Sequence, residues 1–231
     1  MEQLNIYILF FTIIFFLGCS KDNAANTVQR LNENNTTSTN SGDTSYKKIT
    51  KGKVSLVYED ITKIPVDAIV NAGNAQLNPG GGVCGAIYDA AGHNLLDSYI
   101  KSNIPFIPGS SIDRCNIGDA KITPGFNLTA RFIIHAVGPV YSNYSDAQAS
   151  NLLASAYTSS LQVAKTNNLR TVAFPCISTA IFGYPKDKAA PIALNAIKNF
   201  LASNNSDFDE IIIVCYGSDG KENYKIYESL I

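Results

Sequence analysis

Two short stretches hold the residue types from which chemistry could be built. The first, NPGGGVCG, runs from Asn78 to Gly85 and sets three consecutive glycines, Gly80, Gly81 and Gly82, before Val83 and Cys84. The second, CISTAIFGYP, runs from Cys176 to Pro185. Glycine lets backbone come within touching distance of a ligand and takes up positive φ without strain. Each stretch follows an apolar run of strand character, AIVNA or TVAFP, and precedes a run of helical character. A helix N-terminus offers unpaired N–H donors and the positive end of the helix dipole. Two such turns suit a phosphate or diphosphate. The plainer reading is a pair of tight turns that needed flexibility; the flanking Asn71, Asn74, Ser178 and Thr179 weigh against it.

Cys84 is a candidate nucleophile inside the first of these turns. A helix N-terminus lowers a thiol pKa, but no histidine partner is evident. His93 lies two turns further on and His135 falls mid-strand, where a core histidine is expected; His93 is read as a surface residue. Small-residue packing is therefore the simpler role for Cys84. The remaining thiols, Cys115, Cys176 and Cys215, lack metal-site spacing. Cys176 and Cys215 close two neighbouring strands and could approach each other. An oxidising compartment would allow a bond between them, while free, buried thiols are the expectation.

The elements that must position these turns alternate. Val54–Tyr58 has the strand pattern, DAIVNA is a short buried run, and GAIYDAAGHNLLDSYIKS is helical with a break near Gly92. DAKITPGF and RFIIHAVGP are strands ended by Pro-Gly and Gly-Pro. The longest helix starts at SDAQ, where Ser145 or Asp146 can cap it. TVAFPCIS, KDKAAPIALNAIKNFLAS, DEIIIVCYG and GKENYKIYESLI then read as strand, helix, strand and helix. Strands alternating with helices imply a sheet covered on both faces, and ligands in such sheets bind beyond the carboxyl ends of strands.

The 231 residues are 45% hydrophobic and 16% charged, with a formal net charge of −1. Residues 1–46 contain two of the basic and four of the acidic residues, so 47–231 carries +1. That balance argues against a polyanion, and so against nucleic acid as a partner, but not against one small anion held by backbone amides.

The segments EDITKIPVDAIVNAGN, PGGGVCGAIYDAAG, GDAKITPGFNL, RFIIHAVGPVY, AFPCISTAIFGYP and IIIVCYGSDGKENYKIYESLI resemble the macro domain family, in order, from about Val54 to Ile231. The resemblance implies a three-layer α/β/α sandwich with a central mixed sheet over 47–231. It also implies a cleft for ADP-ribose or a derivative; no cofactor and no metal are expected. Asp60 would then accept from the adenine amine, with the Ile61 backbone alongside, and Tyr216 would stack on the base. Asn71 and Asn74 would line the distal ribose. Gly80, Gly81, Gly82 and Val83 would wrap that ribose and one phosphate. Ser178, Thr179, Ala180, Ile181 and Phe182 would donate amides to the diphosphate, with Phe182 closing over the ribose. Asn71, Asn74 and Cys84 form the catalytic set the resemblance implies. The hydrolytic branch, similar to MacroD-type and O-acetyl-ADP-ribose deacetylases, has Asp where Cys84 stands, His where Tyr88 stands, and commonly Gly where Ala180 stands. A largely neutral thiol is a poor replacement for a carboxylate base. Two functions lead, hydrolysis of a group at the 1″ position and a reader that binds ADP-ribose without turnover; a third, a binder of nucleic acid or another nucleotide, has the near-neutral charge against it.

Ahead of this domain, Ile6 to Gly18 is an apolar run shorter than the roughly 20 residues a bilayer span needs. It reads as a signal peptide over 1–18. FLGC followed by SKDN resembles a bacterial lipobox, which implies cleavage before Cys19 and lipid on its thiol. Phe16 and the lack of a preceding Lys or Arg depart from that pattern, and an uncleaved membrane anchor is the alternative. Residues 19–46, rich in Asn, Ser and Thr, read as a flexible tether. Either way the expected location is the cell envelope, attached to a membrane.

Overall fold

The computed structural model of the protein describes residues 46–231. The signal over 1–18, the lipid site at Cys19 and the tether up to residue 45 lie outside the described residues. In chain order the elements are β1 (Ile49–Lys51), β2 (Val54–Tyr58), β3 (Ala68–Gly73), α1 (Val83–Ala91), α2 (His93–Asn103), β4 (Ala120–Pro124), β5 (Phe132–Val137), α3 (Asp146–Thr166), β6 (Thr171–Pro175), α4 (Lys186–Asn204), β7 (Glu210–Cys215) and α5 (Gly217–Leu230). All seven strands join one sheet in the order β1-β2-β7-β6-β3-β5-β4. The five inner strands run parallel, and the edges β1 and β4 are antiparallel to their neighbours.

Both faces of the sheet are covered, which is why the inner strands are near-continuous apolar runs. On one face Ile69, Ile133 and Ile212 pack with Ile87 of α1 and Leu96 of α2. On the other, Leu56, Phe174 and Ile213 pack with Leu153 of α3, Leu194 of α4 and Tyr224 of α5. The result is the three-layer sandwich with a mixed sheet. Val54–Tyr58 alternates in sequence like a half-buried strand, yet Ser55 is buried as well. Its hydroxyl bonds Thr50 at 2.8 Å and Glu210, so the polar atom is satisfied inside. β1 has no signal of its own, being only three residues long. It exists because Gly52, at φ +62°, turns the chain back so that Ile49 pairs with Leu56.

Helix boundaries follow local chemistry. Gly92 separates α1 from α2 at φ +94°, a conformation that few other residues adopt. Ser145 caps α3 and Gln148 bonds back to the Ser145 N–H, a reciprocal capping box. Tyr46, at the start of the described chain, stacks on Tyr58 at 4.5 Å and meets the edge of Tyr224 at 4.9 Å.

One break in the sheet matters for function. β3 pairs with β6 only at Ala68–Val172 and Ile69–Ala173, although β3 continues beside β5 as far as Gly73. From there β3 leads to α1 on one face and β6 leads to α4 on the other. Crevices at such a switch of direction are where open α/β sheets bind ligands.

Candidate functional site

The two glycine-bearing turns meet over this crevice. The first is braced from its own residues: the Asn74 carboxamide donates to the Asn78 carbonyl at 2.9 Å and accepts from the Asn78 N–H at 3.0 Å. The Tyr88 hydroxyl, fully buried, donates to the Leu77 carbonyl. Gly82 then enters α1 at φ +60°, and Gly85 lies so close to the turn that a Cβ there would sit 2.6 Å from the Gly80 carbonyl oxygen. In the second turn Ser178 has φ +65°, and internal bonds use the N–H groups of Thr179, Gly183 and Tyr184. Tyr157 of α3 fixes its origin by donating to the Pro175 carbonyl at 3.3 Å and accepting from the Ile177 N–H at 3.2 Å.

A cavity of about 230 Å³ lies between the turns. Asn74, Gly80, Gly81, Gly82, Val83 and Cys84 line it from the first turn, and Ser178, Ala180, Ile181 and Phe182 from the second. A Cβ on Gly81 would sit 3.1 Å from Ile181 Cδ1, so the turns touch. A second cavity, of about 400 Å³, is lined by Asp60, Ile61, Thr179 and Tyr216. The two share Gly82, Val83, Cys176 and Ala180 and form one elongated cleft. Asp60 is held at its rim as the cap of a short turn, its carboxylate accepting from the Thr62 N–H and hydroxyl at 2.9 and 2.7 Å. Tyr216 is 65% exposed beside it. Among the described residues selected from sequence for binding or catalysis, Asn71 alone lines neither cavity; it is 1% exposed and lies behind Cys84.

Residues 70–193 match the Macro domain family. The chain is a macro domain protein. It is 45% identical over 182 residues to the human ADP-ribose glycohydrolase MACROD2, covering 79% of this chain and 40% of the human one. The chain thus spans about two fifths of that relative's length. The solved Oceanobacillus iheyensis macrodomain with ADP is 36% identical, with a TM-score of 0.68 over 80% of this chain and 94% of that one. The Trypanosoma brucei macrodomain in complex with ADP-ribose is 33% identical, with a TM-score of 0.66 over 77% and 68%. Solved variants of the Oceanobacillus protein change an asparagine, a glycine seven residues on, and an aspartate three beyond that. Asn74, Gly81 and Cys84 share that spacing.

Behind Cys84 this macro domain holds a polar chain that sequence reasoning missed. Asn71 Nδ2 lies 3.6 Å from Cys84 Sγ and 3.1 Å from His135 Nδ1, and His135 Nε2 lies 3.0 Å from Thr123 Oγ1. An amide N–H can only donate, so His135 Nδ1 accepts and its proton sits on Nε2, directed at Thr123. Burial holds His135 down to about 3, so the ring is neutral. It is the core histidine expected of a mid-strand position. Burial pushes the Cys84 thiol up, against smaller opposing effects from Asn71 and Gly80. Cys84 is therefore a neutral thiol in the cavity wall. His93 is exposed and pairs with Asp89 at 3.3 Å.

Two further signals escaped the sequence. A Cβ on Gly138 would lie 2.2 Å from Ser178 Oγ, so only glycine at the end of β5 admits the second turn. Ser178 Oγ and Asn223 Oδ1, one from each cavity's lining, are buried with no partner among the described residues. Such groups mark places where a ligand can complete the bonding. Cys84, Cys115, Cys176 and Cys215 are free thiols, and Cys176 is half-buried where burial was expected. Among the described residues no cluster of three or more His, Cys, Asp or Glu could hold a metal, and no helix is long and apolar enough to cross a membrane.

Proposed function

We propose that this macro domain binds ADP-ribose or a derivative along the two joined cavities. Adenine sits at Asp60, Ile61 and Tyr216, the diphosphate between the turns, and the distal ribose at Asn74 and Cys84. A carboxylate accepts from the adenine amine, and a flat aromatic ring covers the base. The amides opening α1 and those of Ala180 to Phe182 neutralise the diphosphate without a cation. The convergence of both glycine-bearing turns on one cavity carries this reading, and the ADP-ribose complex of the Trypanosoma protein supports it.

At the distal end the domain hydrolyses a group linked to the 1″ carbon: an acyl group, a phosphate or a protein side chain. The human relative's name, ADP-ribose glycohydrolase, supports hydrolysis. Preorganised amides stabilise charge developing there, and a phosphate oxygen of the substrate, rather than Cys84, orients water. Asn71 acts from behind as a positioning residue, fixing Cys84. The second reading, a reader without turnover, is favoured by one observation: the neutral Cys84 thiol stands where a base would be needed.

Titration calorimetry with ADP-ribose, followed by product assays on O-acetyl-ADP-ribose and ADP-ribosylated protein, separates the two. Hydrolysis predicts heat and products, with Cys84→Asp raising the rate by about tenfold or more and Asn71→Ala lowering it. Heat without products leaves the reader. No heat ends the nucleotide reading altogether.

A further inference from the structure

Cys176 and Cys215 have no part in the binding or hydrolysis proposed above, yet both line the cavity that holds Asp60 and Tyr216. Pro175, the last residue of β6, pairs with Val214 of β7, so Cys176, just past the end of β6, follows on beside Cys215, the last residue of β7. Their sulfurs lie 3.7 Å apart. Neighbouring strands run about 4.8 Å apart, within the roughly 4.4–6.8 Å between Cα atoms that a disulfide bridges. Closing the bond brings the sulfurs from 3.7 Å to about 2.0 Å, a side-chain movement.

We infer that Cys176 and Cys215 form a reversible thiol–disulfide couple in the floor of the cleft, a modification site for small disulfides that bound nucleotide shields. Cys176 is partly exposed, whereas Cys215 is 1% exposed, so an incoming oxidant meets Cys176 first. The hydrogen bond to Cys176 and burial both push the Cys215 thiol up. In the first step Cys176 loses its proton and its sulfur attacks a disulfide RSSR. A Cys176–SR bond forms, the RSSR bond breaks, and one RSH leaves with a proton. Cys215 sulfur then attacks Cys176 sulfur, the mixed bond breaks, and a second RSH carries off the Cys215 proton. Two thiols and one RSSR become one protein disulfide and two RSH.

The test equilibrates the full-length chain with mixtures of oxidised and reduced glutathione, quenches in acid and maps the peptides. The expected product is a single linked pair, Cys176 to Cys215, undone by excess reduced glutathione, with Cys84 and Cys115 still thiols and Cys19 outside the pair. In Cys215→Ser, or in Cys215→Val should the serine variant not fold, a glutathione adduct accumulates on Cys176. Free thiols throughout, or a stable adduct on Cys176 in the unaltered chain, would overturn the couple. ADP-ribose at ten times its Kd should slow linkage by about tenfold. This arm alone rests on the nucleotide reading. Heat of binding with an unchanged rate overturns the shielding, whereas no heat removes the nucleotide reading and leaves the couple to stand on the peptide map.

Discussion

Asn71 places its amide nitrogen between a thiol and an imidazole, 3.6 Å from Cys84 Sγ and 3.1 Å from His135 Nδ1. The arrangement depends on His135 staying neutral, and that gives it a pH signature. Its folded pKa, about 3, is far below the ordinary value near 6.5. The unfolded chain therefore binds a proton that the folded one refuses. Stability from this group is complete above about pH 6.5 and falls as pH drops toward 3. Urea unfolding at a series of pH values should show this acid loss, and His135→Gln should lack the part between pH 6.5 and 3. An unchanged acid limb in the variant would mean that the ring is charged in the fold. The mid-strand position of His135 made a core histidine legible from sequence. Its contact with Asn71 was not legible, because it depends on the parallel register of β3 and β5. Asn71 was expected at the ligand because the family resemblance implied it, and a resemblance does not say which way the carboxamide turns.

At the scale of elements, the two turns were legible because glycine, strand and helix signals coincide at each. The glycine that lets them meet was not. Gly138 precedes a proline and looked like a strand terminator, yet its absent Cβ leaves the space that Ser178 Oγ and Ile177 Cγ2 fill, 2.2 and 2.5 Å from where that carbon would be. Gly138→Ala should push the second turn outward. We expect a loss of about 1–3 kcal/mol in thermal or denaturant unfolding and ADP-ribose affinity weakened by about tenfold, or about 1.4 kcal/mol, in calorimetry. A stable variant with normal affinity would show that the turn has room to spare. Asn74, selected for the ribose, also fastens its turn through Asn78, a role that spacing alone could not disclose.

The whole molecule divides its labour between the two ends of the sheet. The cleft occupies the carboxyl ends of the strands, and Asp67 ties together the amino ends. Its carboxylate accepts from the Arg170 and Thr171 N–H groups at 2.7 and 3.0 Å and from Arg131 at 2.7 Å, joining the starts of β3, β5 and β6. Burial opposes ionisation, but these bonds outweigh it and hold the carboxyl below its usual value. Its contribution is therefore present above about pH 4 and lost as pH falls through the lowered value. Asp67→Asn should cost about 1–3 kcal/mol at neutral pH and flatten unfolding below about pH 4, while ADP-ribose affinity stays within about twofold, or about 0.4 kcal/mol. A large affinity change would mean the two ends are mechanically linked. The alternation of strands and helices announced the layers, but β1 was too short to carry a pattern. Where β7 falls in the sheet has a consequence for synthesis. The last of the described strands sits between β2 and β6. Until residue 215 leaves the ribosome, β1–β2 and β6–β3–β5–β4 remain two fragments, with Asp60 on one and Ser178 on the other. A message truncated upstream of that point would leave the cleft unassembled and two bare strand margins open to pairing with a sister chain.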